Sequence, residues 1–333
     1  MFDRQNKKSI LVGVLSFVLL TLLLLFFLDH LDQAVFDILA QTTAGMLCLL
    51  LAMSCLYYVL DSILYVAVFR DEAHRFTLRD GIALTYLGIF GKAAVITGGS
   101  VPLQTIFLHR RGVAVGCSLG VSTVLTIMQK LAVVLYATVL LLLHWRWVRT
   151  VTPGIAIILV FSYGISALII LVLLLLCTSR RICDFSCRMI SLLPQKLGQR
   201  KTKWQDQINT LYQQSQMLLQ TKEKFLLILV LDLVKLFVLF CIPYAVLSQL
   251  GLHPYHLLQA QTLAALTLLL SGSIPNIAGM GSAELAFMIV YSQSLESYTA
   301  ATMIYYRCAT YYFPFIISVF LVFFIQKRLS SNK

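Results

Sequence analysis

The sequence predicts an all-α, polytopic membrane protein, with about six full transmembrane helices, two re-entrant broken-helix hairpins and an inverted repeat between its halves. Three observations predict it. Of the 333 residues, 59% are hydrophobic and only 12% are charged, where a soluble domain carries about 25% charged residues. The apolar residues fall into blocks of about 20 or more, long enough to cross a hydrocarbon core about 30 Å thick. When those blocks are threaded back and forth, the positive charges collect on one side. Backbone polar groups in lipid must be satisfied within a segment, so each block reads as a helix, and the alternating pattern of a barrel is absent.

The elements follow in order. Ser9–Leu28 is too long for the apolar core of a signal peptide, and no small-residue cleavage site follows at Asp29–Asp32. It is expected to be a retained helix. Ala44–Phe69 is the second crossing. Gly81–Leu108 is apolar but interrupted by Gly88, Gly91, Gly98, Gly99 and Pro102. Such interruptions fit two half-helices joined by irregular backbone, which is tolerated where protein surrounds it. Val113–Leu143 and Gly154–Cys177 are unbroken. Thr178–Lys224 is a polar stretch holding nine basic residues, in which Ile208, Leu211, Tyr212, Ser215, Leu218 and Leu219 recur at helical spacing. A helix along the membrane surface and an ordinary basic cytoplasmic loop both fit that stretch. Phe225–Leu247 crosses again. Tyr255–Tyr291 is a second broken segment, with Gly272, Pro275, Gly279 and Gly281 at its centre, and Ala300–Ile325 is the last crossing. The chain reads as one integral membrane domain, its first half spanning 9–143 and its second 153–325.

Orientation comes from charge. With the N-terminus inside, only Arg146 and Arg149 fall outside, and Lys92, Lys130, Lys235 and Arg307 fall within apolar segments, so the other twenty of the 26 basic residues lie inside. Both termini are then cytoplasmic, and Trp145 and Trp147 stand at the outer boundary, where aromatic residues belong. The sorting requires Gly81–Leu108 to enter and return on the cytoplasmic side, and Tyr255–Tyr291 to do so on the other. A full crossing at the first segment would move Arg110 and Arg111 outside and reverse everything after them.

The two broken segments share a string. Gly99-Ser100-Val101-Pro102 matches Gly272-Ser273-Ile274-Pro275. Each follows an apolar run carrying an aspartate, Asp61 or Asp232, and each precedes a helix carrying a base, Lys130 or Arg307. The topology turns the second copy upside down, as in transporters whose sites lie among broken helices near the midplane. Asp61 and Asp232 strain the pattern, because both fall about 12 Å deep from the cytoplasmic face at 1.5 Å per residue.

Seven charges lie within apolar segments: Asp61, Lys92, Lys130, Asp232, Lys235, Glu284 and Arg307. A charge at a helix centre costs about 2.5–3.5 kcal/mol on insertion scales, so these must pair or face water. Asp232 and Lys235 share a helix face and either neutralise each other or belong to a site. Glu284 follows a glycine cluster and either caps a half-helix or meets a ligand. Arg307 offers a guanidinium fork suited to phosphate, with Lys130 as its companion. Gln104 and Ser100 either bind a headgroup or repair broken backbone, and Asp61 either meets a cationic headgroup or carries a proton. Tyr305, Tyr311 and Tyr312 are expected to pack or to sit at the interface.

No cofactor or metal is expected. The eight cysteines form no CxxC pair and no Cys/His cluster, and small apolar filler is their expected role. Gly88-Ile89-Phe90-Gly91-Lys92 is not a phosphate-binding GxxxxGK[ST] loop, so nothing supports direct ATP drive. The net charge of +12 is distributed as a membrane protein's, and nucleic acid is not implied.

The broken segments also carry a family resemblance. Gly98-Gly99-Ser100-Val101-Pro102-Leu103-Gln104, followed by Leu108-His109-Arg110-Arg111-Gly112-Val113, resembles the first motif of the lysylphosphatidylglycerol synthase transmembrane-region family: a double glycine, a proline and a glutamine, then a basic pair and a glycine. Pro275-Asn276-Ile277-Ala278-Gly279-Met280-Gly281-Ser282-Ala283-Glu284 resembles its second motif, and Tyr305-Tyr306-Arg307 its tyrosine–arginine pair. The resemblance covers nearly the whole chain. It implies flippase-like work on polar lipids in a bacterial cytoplasmic membrane, by a domain that stands alone or is fused to a soluble transferase. Here a stand-alone membrane domain is expected. The substrate-binding set is then Arg307, Lys130, Glu284, Asp61, Asp232, Lys235, Gln104 and Ser100, framed by Gly98, Gly99, Pro102, Pro275, Gly279 and Gly281. The implied partners are a membrane phospholipid and, on a second reading, a separate aminoacyltransferase or other lipid-modifying enzyme. A non-transporting lipid-binding scaffold is the third reading.

Overall fold

The computed structural model describes residues 33–70, 76–93, 100–191, 198–252, 255–274, 281–295 and 298–331. The first apolar block, Ser9–Leu28, lies outside the described residues, as do Gly98, Gly99, Pro275 and Gly279. The described residues are helical and contain no strand: α1 (Gln33–Ala40), α2 (Ala44–Phe69), α3 (Leu78–Ala93), α4 (Val101–Arg110), α5 (Val115–Val151), α6 (Ile155–Thr178), α7 (Arg180–Ser191), α8 (Gly198–Gln220), α9 (Lys222–Gln249), α10 (Leu257–Ser271), α11 (Ser282–Leu295), α12 (Tyr298–Arg307) and α13 (Phe313–Ser331), with a π turn (Cys308–Tyr312) between the last two. Helices α2, α5, α6 and α9 are each long and apolar enough to cross a membrane. The protein is an all-α polytopic membrane protein.

Helix α5 is the axis of the molecule. Its 37 residues extend about 55 Å at 1.5 Å per residue, more than a bilayer core of about 30 Å, so it must tilt or project. The apolar block ends at Leu143, but the helix does not. It kinks at His144 (φ −117°, ψ 16°) and runs on to Val151. The run Trp145-Arg146-Trp147 lowers the hydropathy without breaking the backbone. Trp145 is exposed, whereas the Trp147 ring packs edge-on against Tyr255, 5.6 Å between centroids.

The two broken segments fold as hairpins at opposite ends of α5. In the first, α3 and α4 lie antiparallel, and Arg111 just after α4 forms an ion pair with Asp80 at the start of α3. Both ends of this hairpin therefore meet at one pole. That pole is the N-terminal end of α5, where Ser118 hydrogen-bonds Thr105 of α4 at 3.2 Å. In the second hairpin, α10 and α11 lie antiparallel. Ser271 and Ser282 meet at the tip, 3.2 Å apart, and the Tyr291 hydroxyl donates to the Ala260 carbonyl nearer the base. Its base sits at the C-terminal end of α5, through Trp147–Tyr255 and through His144 to Thr262 at 3.1 Å. The hairpins thus enter from opposite poles, and helix–hairpin–helix recurs inverted: α2, α3–α4, α5, then α9, α10–α11, α12–α13.

Each hairpin has its own apolar core. One core gathers Ala132 to Val148 of α5, Leu236 to Leu247 of α9 and the second hairpin. The other gathers Cys117 to Met128 of α5, Ile228 of α9, Leu64 to Phe69 of α2 and the first hairpin. The last apolar block, expected from sequence as one crossing, is split into α12, the π turn and α13, and joins the first core through Ala309 and the second through Phe315.

The basic polar stretch is a helical hairpin. Helix α7 runs back along α8, with the Cys183 thiol donating to Asn209 at 3.4 Å and Gln205 donating to the Cys187 carbonyl at 3.1 Å. Helix α8 does not lie free along the membrane surface. Its apolar stripe, with Ser215 and Leu218 buried, packs parallel to α5. A Cβ at Gly116 would fall 2.4 Å from the Gln207 carbonyl oxygen, and one at Gly120 2.8 Å from that of Leu211. Only glycine admits backbone so near, as in small-residue packing between membrane helices.

The Asp80–Arg111 closure sets a test of topology. In a cysteine-free background, Arg79→Cys and Gly112→Cys are expected to react with a membrane-impermeant maleimide from the same side, and His256→Cys from the other. Labelling of the first two from opposite sides would break the hairpin assignment.

Candidate functional site

The seven charges expected inside apolar segments collect between the two cores. On α5, Lys130 falls between Met128 of one core and Ala132 of the other; on α9, Asp232 and Lys235 fall between Ile228 and Leu236. On α2, Asp61 falls between Leu50 and Leu64 in the same way. The site is a polar layer between two apolar masses, and each hairpin tip faces it.

Lys235 occupies the centre of the layer. Its Nζ lies 2.8 Å from Asp61 Oδ1 and 2.8 Å from Asp232 Oδ1. The ammonium also stands over the Tyr57 ring at 5.7 Å. The i,i+3 pair expected on α9 is therefore present, but α2 supplies a second carboxylate. Asp61 Oδ2 accepts from the Thr85 hydroxyl at 3.3 Å, and Ser62 donates to Thr85 at 3.2 Å, so the network ties α2, α3 and α9 together. The side chains of Lys235 and Asp232 are 4% and 1% exposed, while Asp61 keeps 21%. The inner partners are sealed and Asp61 is the accessible edge.

Arg307 is not an open anion site. Its Nε meets Glu284 Oε1 at 2.7 Å, and its guanidinium stacks over Tyr311 at 4.6 Å. The second carboxylate oxygen of Glu284 accepts from the Gly281 backbone N–H at 2.7 Å. Glu284 thus caps the start of α11, one of the two roles weighed for it from sequence, and also neutralises Arg307, a pairing the sequence did not indicate. Gly281 has a φ of +92°, which lets the chain turn into that cap. The π turn starts immediately after Arg307; π-helical insertions recur at functional sites. Tyr305, two residues before Arg307, points away to the turn before α2, with its hydroxyl 2.5 Å from that of Thr42.

Two lysines are left over. Lys130 is half-buried and has no hydrogen bond or ion pair among the described residues. It stands at the tip of the second hairpin, where a Cβ added to Gly272 would lie 3.7 Å from its Nζ. Lys92 ends α3 at the tip of the first hairpin, exposed and likewise without such a partner among the described residues. Sequence reasoning counted Lys92 among the charges in apolar segments but left it out of the site. Its position at the end of a glycine-interrupted half-helix was the available signal.

Gln104 and Ser100 hold the first hairpin. Gln104 is buried and donates to the Tyr65 hydroxyl at 3.0 Å and to the Leu84 carbonyl at 3.1 Å. A Cβ at Gly88 would lie 2.5 Å from Gln104 Nε2, so glycine is what makes room for the amide. Ser100 precedes α4 and makes no side-chain cap; its carbonyl accepts from the Gln104 N–H. Pro102 occupies the first turn of α4, where its missing N–H removes no helical bond.

Two opposed hairpins around a charged layer define a class: polytopic helical membrane proteins whose polar site lies among broken helices. The chain belongs to the family of lysylphosphatidylglycerol synthase transmembrane regions, whose model matches residues 12–318. That membership places it among membrane proteins of lipid modification and transport. No curated protein and no solved structure matches it.

The pairing predicts an order of stability. Lys235→Met leaves the buried Asp232 and the partly exposed Asp61 without their cation and is expected to destabilise more than Asp232→Asn, which leaves one neutral pair. Removing one member of a buried pair costs about 3–5 kcal/mol. Thermal unfolding of the purified variants in detergent checks this order, and a Lys235→Met protein as stable as wild type would contradict it.

Proposed function

We propose that this protein moves a polar phospholipid, of the phosphatidylglycerol type or its aminoacylated form, across a bacterial cytoplasmic membrane. The observation that carries this reading is Lys130, an ammonium at a hairpin tip in the layer between two apolar cores, with no ion-pair partner among the described residues. An unpaired charge at that depth needs a ligand or water, and a lipid phosphate meets it with an anion whose tails remain in the bilayer. Lys92 at the other tip supplies a second cation. The starts of α4 and α11 add the partial positive charge of helix N-termini. Asp61, accessible and linked to Lys235, receives an amino headgroup. Arg307 keeps the second hairpin in place through Glu284. The positive-inside distribution of charge supports a cytoplasmic position for the N-terminal end of α5 and for both termini. Rocking of one hairpin and its core against the other gives alternating access.

The family's description favours a second reading, in which this chain is the membrane part of a lysylphosphatidylglycerol synthase and works with a separate aminoacyltransferase. Co-purification of a transferase, with a new aminoacylated lipid in extracts only when both chains are expressed, would select it.

The transport reading is tested in proteoliposomes carrying fluorescent phosphatidylglycerol or its lysylated form, with bleaching of the outer leaflet. Wild type is expected to exceed empty vesicles. Hydrogen bonds to charged groups contribute about 1.5–3 kcal/mol, so Lys130→Ala is expected to slow transport by about tenfold or more while thermal stability holds. Rates equal to empty vesicles for anionic, zwitterionic and aminoacylated lipids would overturn the proposal.

A further inference from the structure

The triad at the centre of the layer carries one negative charge too many. Two carboxylates, Asp61 and Asp232, share the single ammonium of Lys235. Asp232 is 1% exposed, and while its Oδ1 meets Lys235, its Oδ2 has no hydrogen-bond partner among the described residues. A sealed anionic oxygen without a hydrogen-bond donor is a costly arrangement in a low-dielectric interior. One added positive charge makes the triad neutral.

We propose that Asp232 binds one exchangeable proton at Oδ2, and that this proton is the ion coupled to the traffic through the charged layer. The step is the addition of a proton to the carboxylate, giving a carboxylic acid beside an intact Asp61–Lys235 pair. Asp232 is the acceptor because it is sealed and lacks a hydroxyl donor, whereas Asp61 is partly exposed and accepts from Thr85. Burial with few donors favours the neutral carboxyl. A metal cation fits poorly, because hard cations need several oxygen ligands and the two facing oxygens are already occupied by Lys235. The surrounding elements present Tyr57, Tyr58 and Tyr65 from α2, Lys92 from α3, Tyr136 from α5 and Tyr306 and Arg307 from α12. The tyrosines are neutral near pH 7, Arg307 is held by Glu284, and Lys92, which Asp61 attracts across the layer, makes no ion pair with the triad among the described residues.

When the proton leaves, the excess charge appears at the accessible edge of Asp61. On the transport reading given above, an amino headgroup then takes its place, so proton and headgroup exclude each other. Such coupling is reciprocal in binding free energy.

The test is infrared difference spectroscopy of the full chain in nanodiscs, titrated in light and heavy water. Wild type is expected to show a carboxylic-acid C=O band that shifts on deuteration and disappears as pH rises. Asp232→Asn is expected to lose the band. Asp61→Asn is expected to lose it as well, because Asp232 then becomes the sole, ionised partner of Lys235; a merely structural carboxyl would keep it. This second variant keeps the proposal testable if the first fails to fold. A band that survives Asp232→Asn, no titrating band in wild type, or one that responds to sodium instead of pH would overturn the assignment. None of these readings uses lipid movement, so failure of the transport proposal would leave the spectrum to decide this one.

Discussion

Lys235 is the contact on which the rest of the structure depends. It draws Asp61 of α2 and Asp232 of α9 to one point, and through Thr85 it reaches α3. Helix α2 enters the first hairpin and α9 the second, so this ammonium joins the two inverted halves. The hydrophobic effect adds little to that joining in a bilayer, since lipid tails solvate leucine as well as another leucine does, and packing alone is not selective for one partner. Electrostatics in a low-dielectric layer is selective, because a pair broken there leaves a charge with no alternative partner.

The hairpins solve a different problem with the same economy. Each is a helix interrupted within an apolar segment, and an interrupted helix leaves backbone groups that need partners beyond its own turns. In the first hairpin, the Gln104 amide is inserted between α3 and α2, held by Leu84 and Tyr65, and Gly88 provides the space. In the second, Glu284 caps α11 and is itself neutralised by Arg307. Both hairpins thereby present their inner ends to the charged layer, and Lys92 and Lys130, without an ion-pair partner among the described residues, stand there on helices α3 and α5.

Much of this was legible in the sequence, for definite reasons. The block Ala44–Phe69 coincides with α2 because a capping residue, Thr43, and the polar residue after Phe69 stand where hydropathy changes. Glycines and prolines marked both hairpins, since clustered in an apolar segment they interrupt a helix that lipid would otherwise keep whole. The Asp232–Lys235 pair was visible as an i,i+3 spacing. What was hidden is long-range. Asp61 and Lys235 are 174 residues apart, and no local pattern connects them. Arg307 and Glu284 meet only once α11 folds against α12. The stripe on α8 signalled a helix correctly, but a stripe does not say whether lipid or another helix covers it; Gly116 and Gly120, four apart on α5, were the missing half of that reading. The π turn at Cys308–Tyr312 leaves no mark in composition at all.

The repeat is inverted in its backbone but not in its charges. Equivalent halves would place one base at each hairpin, as the order acid, broken segment, base suggests. Instead Lys130 and Arg307 both turn to the second hairpin, Lys130 to Gly272 and Arg307 to Glu284, and the first hairpin carries Lys92 on its own helix. Asp61 and Asp232 also do not occupy matching positions; they converge on one lysine from opposite halves, which removes the strain their equal depth placed on strict inversion. The scaffold is thus shared between the halves while the chemistry is divided: a paired acid and base supporting one hairpin, an accessible acid and an exposed base nearer the other, and Lys130 between them. A polar ligand entering this layer meets different groups from its two sides, so symmetry of the fold does not impose symmetry on binding.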